Sequence, residues 1–323
     1  MSRSVHLLLG LTLVAAVLAG CGTASDHALR LAMSALQTPT PEAPSSSPSK
    51  AVTCTNLTAS LSPPATMPTP GAMPQGSFMR KIHDRGYLIA GVNAGLSRFG
   101  YLNPATGKIE GFEIDLVREL AHAIFGDPSK FRLVALSVPQ RIPFVQQGRV
   151  DVVVDAVTIT CERKQQVDFS TVYYDAQQRV LVPADSPATS ISAFAGRPVC
   201  ASAQSAPIDV LKQLPAPPRI VGVPQAIDCL VYLQQGRIAA ISTDDSILVG
   251  FKAQDPNTRI IGSSLHDVPY GMAISKAHPE FVRFVNGALA NLRADGTWRA
   301  LYDKWLGQLV PNPNPLPPAT YDG

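Results

Sequence analysis

The stretch from Asp151 to Thr171 constrains the fold more than any other part of the sequence. It opens with a wholly apolar run, Val152 to Val154, which is typical of a strand buried on both faces of a parallel sheet. Thr158, Thr160 and Arg163 follow, and open α/β sheets bind ligands beyond the carboxyl ends of their strands. The stretch therefore predicts an anion or carboxylate site. The alternative interpretation is an arginine in a solvated loop.

Further strands alternate with helices before this stretch. Tyr87 to Val92 and Phe131 to Leu136 are apolar enough to be strands, and between them the segment from Ile114 to Ala121 repeats apolar residues at helical spacing. This alternation predicts a parallel-sheet α/β unit. With 323 residues, of which 46% are hydrophobic, the chain can form one large domain or two lobes. A net charge of +3 gives no argument for nucleic acid or an anionic membrane surface as a partner.

The first 21 residues have the three-part form of a secretory signal. Arg3 precedes the apolar run from Leu7 to Val17, which is short for a transmembrane helix. The run closes on Leu-Ala-Gly-Cys at 18–21, the lipobox pattern of bacterial lipoproteins. We predict a signal peptide over 1–20 and lipidation of Cys21, which would anchor the protein to the extracytoplasmic face of the cell membrane. The alternative is a secreted protein with a chance cysteine.

Both ends of the chain beyond the α/β unit are rich in proline. We predict an extended Pro/Ser/Thr-rich tether over 21–78 and a Pro-rich tail over 308–323.

Four cysteines remain after Cys21 is set aside: Cys54, Cys161, Cys200 and Cys229. An even number in an oxidising compartment predicts two disulfides, and the three possible pairings stay open at this point. The sequence has no C-x-x-C or His-rich spacing, so we expect no metal site.

Several motifs occur in an order that resembles a known family. GFEIDL at 111–116, RIPFVQQGRVDVVVDAVTIT at 141–160 and ADGTW at 294–298 together resemble the bacterial extracellular solute-binding proteins of polar amino acid ABC transporters, the glutamine- and glutamate-binding proteins among them. The resemblance covers Met79 to Gly307. With the predicted tether, the chain is most similar to the lipid-anchored members of actinobacteria.

The resemblance implies an α/β fold of the type II periplasmic-binding-protein class, with two lobes and a two-strand hinge. Lobe 1 would comprise 79–183 plus 266–307, and lobe 2 would be the inserted segment 184–265. Because Cys200 and Cys229 would then share lobe 2, we expect them to pair with each other, which leaves Cys54 to pair with Cys161.

The resemblance also assigns a residue to each group of a free amino acid. Arg163 would bind the α-carboxylate through two parallel hydrogen bonds, with further donors from Thr158. Asp244 would bind the α-ammonium group. Ala156 stands where family members commonly have glycine, and its carbonyl would accept from the same ammonium group. Ser205 lies in a turn before a helix, where backbone N–H groups would face the ligand.

Some positions depart from the family pattern. Asn93 replaces an aspartate at the end of the first strand, which should make acidic ligand side chains easier to tolerate and adds an amide donor. Gln204 replaces a glycine in the turn that carries Ser205, and Pro207 follows Ala206, so these departures put the geometry of the backbone donors in this turn in question. Arg98 and Arg141 could pair with an acidic ligand side chain, or they could be solvent-exposed.

We therefore expect a monomeric, lipid-anchored binding protein for glutamate, aspartate, glutamine or asparagine, with an ABC permease or a membrane sensor as its partner and no cofactor. The alternatives are an enzyme of the cyclohexadienyl dehydratase type on the same fold, or an interaction lobe without a ligand. We expect no enzyme because the six histidines form no H-E-x-x-H motif. The cleft also offers no general acid or base beyond Asp155 and Asp244.

Overall fold

A computed structural model of the protein describes residues 53–307 and 318–322. The predicted signal peptide, the predicted lipidation site Cys21 and residues 22–52 of the predicted tether lie outside the described residues. Across the part of the chain that is described, no helix is both long enough and apolar enough to cross a membrane.

The chain alternates short strands and helices. The strands in chain order are β1 (Ser60–Leu61), β2 (Leu88–Val92), β3 (Gly95–Leu96), β4 (Gly100–Asn103), β5 (Lys108–Glu110), β6 (Phe131–Ala135), β7 (Val152–Val153), β8 (Asp168–Phe169), β9 (Tyr174–Pro183), β10 (Pro198–Ser202), β11 (Arg219–Val223), β12 (Ala240–Asp244), β13 (Thr258–Tyr270), β14 (Ala273–Ile274) and β15 (Tyr321–Asp322). The α-helices are α1 (Phe78–Arg85), α2 (Phe112–Phe125), α3 (Arg141–Gln146), α4 (Cys161–Gln166), α5 (Ala206–Lys212), α6 (Ala226–Gln234), α7 (Asp245–Gln254), α8 (Pro279–Ala294) and α9 (Thr297–Trp305).

The first five-stranded sheet has the order β6-β2-β7-β14-β8. Strands β6, β2 and β7 are parallel, whereas β14 runs antiparallel to both of its neighbours. Val152 and Val153 of β7 are completely buried, as expected for an apolar run covered on both faces. The predicted buried strand at this position is therefore confirmed.

The second five-stranded sheet has the order β11-β10-β12-β9-β13. Strands β11, β10 and β12 are parallel, and the long strands β9 and β13 close the sheet as an antiparallel pair. That pair extends from Tyr174 opposite Tyr270 to Pro183 opposite Thr258, with a shift in register between Ile261 and His266. The chain passes from the first sheet to the second along β9 and returns along β13, so the predicted two-lobe α/β fold with a two-strand hinge is confirmed.

Two disulfides staple the described chain. Cys54 is bonded to Cys161 and Cys200 to Cys229, with Cα–Cα distances of 5.5 and 5.6 Å. Both pairings agree with the expectation. The first disulfide attaches the segment that precedes α1 to helix α4. The second joins strand β10 of the second sheet to helix α6.

The described residues before α1 pack against the folded body, in contrast to the extended tether predicted for them. Strand β1 pairs in parallel with β15 near the C-terminus. The ammonium group of Lys164 donates to the carbonyls of Asn56, Leu57 and Ala59, and Asn286 donates to the hydroxyl of Ser60. The composition suggested an unpacked spacer, but Lys164 and Asn286 satisfy backbone carbonyls of the segment, and the Cys54 disulfide holds it in place covalently.

Candidate functional site

A small cavity lies where the two sheets meet. It has a volume of about 20 Å³ and is lined by residues from both lobes. The lining includes five of the six predicted ligand-binding residues, which are Ala156, Thr158, Arg163, Ser205 and Asp244. A cavity of this volume admits about one water molecule, so it must widen to hold an amino acid.

Arg163 connects the two lobes across this cavity. Its Nη1 donates to the carbonyl of Thr158 at 2.8 Å, and its Nη2 donates to the carbonyl of Gln204 at 3.0 Å. Burial, reinforced by repulsion from Arg141, lowers the pKa of Arg163 to about 10. The guanidinium therefore stays charged at neutral pH, with two of its nitrogens on backbone carbonyls.

The loop around Arg163 is fixed by local hydrogen bonds. The hydroxyl of Thr160 accepts from the backbone N–H of Arg163 and so caps the N-terminus of α4. A wider groove of about 560 Å³ shares Val138, Arg141, Arg163 and Ala206 with the cavity. Arg163 therefore forms part of the wall between the small cavity and this groove.

Asp244 ends β12 and is 4% exposed. Its Oδ2 accepts a hydrogen bond from the hydroxyl of Tyr270, while its Oδ1 is buried and has no hydrogen-bond partner among the described residues. Burial raises the pKa of Asp244 to about 6, against the lowering effect of the Tyr270 hydrogen bond. The neighbouring Asp245 instead accepts from the backbone N–H groups of Gln177 and Ser246.

Ser205 offers a second unsatisfied polar atom at the same cavity. Its hydroxyl oxygen is buried and has no hydrogen-bond partner within the described chain. Leaving a buried polar group unpaired destabilises the fold by roughly 1–3 kcal/mol. The unpaired Oδ1 of Asp244 is therefore suited to a ligand that carries hydrogen-bond donors, and the unpaired hydroxyl of Ser205 can donate to a ligand or accept from it.

Two residues of the site adopt backbone conformations that favour glycine. Ala156 has φ of 44° and Gln204 has φ of 58°, in the left-handed region that L-residues other than glycine rarely adopt. The resemblance implied glycine at both positions, and the residues present here keep a glycine-type backbone. The turn geometry that Gln204 put in question is therefore kept.

The buried side chain of Glu113 accepts a hydrogen bond from the backbone of Ala156 and so fixes the turn at that residue. Oε1 of Glu113 accepts from the N–H of Ala156 at 2.7 Å and from the hydroxyl of Tyr173. Burial, with a further contribution from the charge of Asp155, raises the pKa of Glu113 to about 7. Glu113 therefore fixes the strained turn and carries a partial charge near neutral pH.

Arg141 is not solvent-exposed, which was one of the two alternatives that the sequence left open for it. It is 6% exposed, lines the cavity and forms a bidentate ion pair with Asp155, with both N···O distances at 2.8 Å. Asp155 is completely buried. The sequence did contain an indication of this ion pair, because Asp155 directly follows a wholly buried strand and a carboxylate at such a position requires a partner.

Asn93, the sixth predicted residue, is not among the residues that line this cavity. It is 2% exposed, and its Oδ1 accepts from the N–H of Gly95 at 2.8 Å. Asn93 also interacts with the Asp155 carboxylate and favours its ionised form. The residue therefore supports the buried charges next to the cavity.

Comparison with known proteins identifies relatives over most of the described chain. A family model of bacterial extracellular solute-binding proteins, family 3, matches residues 88–308. The ABC transporter glutamine-binding protein GlnH of Bacillus subtilis is 32% identical over 70% of this chain and 83% of its own length. The L-glutamate/L-aspartate-binding protein of Pseudomonas aeruginosa is 27% identical over 72% of this chain and 81% of its own length. The solved structure of an ancestral arginine-binding protein bound to glutamine is 30% identical, with a TM-score of 0.64 over 69% of this chain and 99% of that one.

Proposed function

Because the chain belongs to the bacterial extracellular solute-binding proteins of family 3, we propose that it binds a free polar amino acid in the cavity between its two sheets. The candidate ligands are glutamate, aspartate, glutamine and asparagine. Arg163 binds the α-carboxylate, with additional donors from Thr158 and from the turn of Ser205. Asp244 and the carbonyl of Ala156 bind the α-ammonium group.

The observation that carries this proposal is the unpaired Oδ1 of Asp244. A buried carboxylate is unfavourable unless a cation or hydrogen-bond donors satisfy it. Tyr270 satisfies one oxygen, and the other lies at the cavity without a partner in the described chain. An α-ammonium group supplies both a positive charge and three donors at the position where they are needed.

Ligand entry requires the lobes to move apart. The bond from Arg163 to the carbonyl of Gln204 joins the two sides, and it breaks when the lobes open about β9 and β13. The α-carboxylate then takes the place of that carbonyl as an acceptor for the guanidinium. Such hinge closure gives a membrane partner two distinguishable states.

We further propose that the protein acts as a monomer on the extracytoplasmic face of the cell membrane, anchored by acyl chains on Cys21, and is not an enzyme. The similarity to a protein named as part of an ABC transporter supports delivery to a permease, and a membrane sensor that reads the closed form is the other partner consistent with the fold. Two or more acyl chains would give durable attachment.

A thermal-shift panel of the common amino acids tests the proposed ligand class. A ligand present at 100 times its Kd stabilises the folded state by about 2.7 kcal/mol, which raises Tm by several degrees. We expect such a rise with at least one of the four candidate ligands. The absence of a shift with all four at millimolar concentration would contradict the proposal.

A further inference from the structure

Arg141, which lines the cavity, belongs to a buried pair of opposite charges that the proposed binding of the α-groups does not use. Nε and Nη2 of Arg141 each donate to one oxygen of Asp155 at 2.8 Å. Both residues are buried, and Arg141 also lines the cavity. This geometry leaves Nη1 of Arg141 as the one guanidinium nitrogen outside the pair.

The charges around the cavity balance without a charged ligand side chain. In the proposed complex, Arg163 pairs with the α-carboxylate of the ligand and Asp244 pairs with its α-ammonium group. Arg141 and Asp155 neutralise each other. Glu113, which packs behind Ala156, can only add negative charge. A zwitterion with an uncharged side chain therefore leaves Arg141, Asp155, Arg163 and Asp244 each with one partner of opposite charge, and the negative charge of Glu113 further disfavours an acidic side chain.

We propose that the Arg141–Asp155 pair makes this a site for an amino acid with an uncharged amide side chain, glutamine or asparagine, and excludes acidic and basic side chains. This inference rests on the proposed binding of a free amino acid. The side-chain oxygen of the ligand accepts from Nη1 of Arg141. Asp155 is thus the residue that decides between an amide and a carboxylate.

An acidic side chain is excluded because it would compete with Asp155 for the same guanidinium. Two carboxylates sharing one buried cation repel each other, and one of them must take up a proton or lose its partner. A basic side chain is excluded because both oxygens of Asp155 already accept from Arg141. The cation of the ligand would therefore lie next to the positive charge of Arg141 without a carboxylate to pair with. Like-charge contacts in a buried interface cost several kcal/mol, which corresponds to at least about 100-fold in affinity.

Isothermal titration calorimetry with the full chain at pH 7.5 tests this discrimination. The titrants are L-glutamine, L-asparagine, L-glutamate, L-aspartate and L-arginine. We expect the better amide to bind at least about 100-fold more tightly than its acid and than arginine. Binding of glutamate or aspartate as tight as that of the amides would overturn the inference while leaving the proposed function intact. Failure of all five to bind would overturn both.

The substitution D155N isolates the role of the pair, because asparagine keeps the shape and removes the charge. It frees the Arg141 guanidinium, so the ratio of glutamate to glutamine affinity should rise at least tenfold. The double variant R141Q/D155N is the matched control, since it removes both charges and should show no gain for glutamate. An unchanged ratio in a folded D155N variant would assign the pair a purely structural role. If D155N does not fold, the ratio measured for the natural protein decides the question alone.

Discussion

Asp244 should make the protein less stable without ligand as the pH rises. Its ordinary pKa is 3.8 and burial raises it to about 6 in the folded state. Between these values the folded protein holds a proton that the unfolded chain has lost, so stability decreases as the pH rises through this window. A difference of about two pKa units corresponds to about 3 kcal/mol of lost stability above pH 6.

The substitution D244N removes this effect. Without ligand, the variant should be more stable than the natural protein by up to about 3 kcal/mol above pH 6, with the advantage disappearing near pH 4. In a chain of this size, that difference raises Tm by roughly 6–12 °C. Thermal unfolding of both proteins between pH 4 and 8 measures it. The pKa of Glu113 is also raised, but Glu113 titrates in both proteins, so its contribution to the pH dependence of stability largely cancels when the two are compared.

Ligand binding should show the opposite dependence on pH, because only the ionised carboxylate pairs with an ammonium group. For a group with a pKa of about 6, the apparent affinity should fall roughly tenfold between pH 7 and pH 5. D244N should lose the thermal shift with the amino acid at every pH. A D244N variant that is less stable than the natural protein at pH 8, or that still binds the ligand normally, would refute this reasoning.

Three further perturbations give distinct outcomes. R163A should weaken amino acid binding at least 100-fold by calorimetry while far-UV circular dichroism stays unchanged, and retained affinity would mean that the α-carboxylate binds elsewhere. A156G should raise the free energy of unfolding by about 1 kcal/mol, since glycine relieves the left-handed backbone; lower stability in denaturant titration would contradict that. Replacing Cys54 and Cys161 with serine should cost up to about 4–5 kcal/mol and expose residues 53–77 to protease, whereas equal protease resistance would show that the disulfide does not hold this segment.

The fold was predictable because its signals are local and repeated. The apolar run at 152–154 is typical of a strand buried on both faces, and the motifs after it occur in the order that the family resemblance implies. The cysteine pairing followed from placing Cys200 and Cys229 in one lobe, which the family resemblance implied. Each of these inferences needed only short segments of the sequence and the order in which they occur.

The errors arose where distant residues act together. Composition alone made 53–77 resemble a free spacer, but Lys164 and Asn286 bind its backbone and β15 pairs with β1. The partner of Arg141 was missed because the ion pair depends on how α3 packs against the end of β7. Gln204 raised doubt because the sequence does not reveal φ, and the structure keeps the glycine-type conformation.

A crystal structure of the protein with its tightest-binding amino acid tests the central claim most directly. The account predicts the α-ammonium nitrogen within hydrogen-bond distance of Oδ1 of Asp244, and the α-carboxylate on the Arg163 guanidinium in place of the carbonyl of Gln204. An amino acid bound outside the cavity, or with its ammonium group directed away from Asp244, would contradict it.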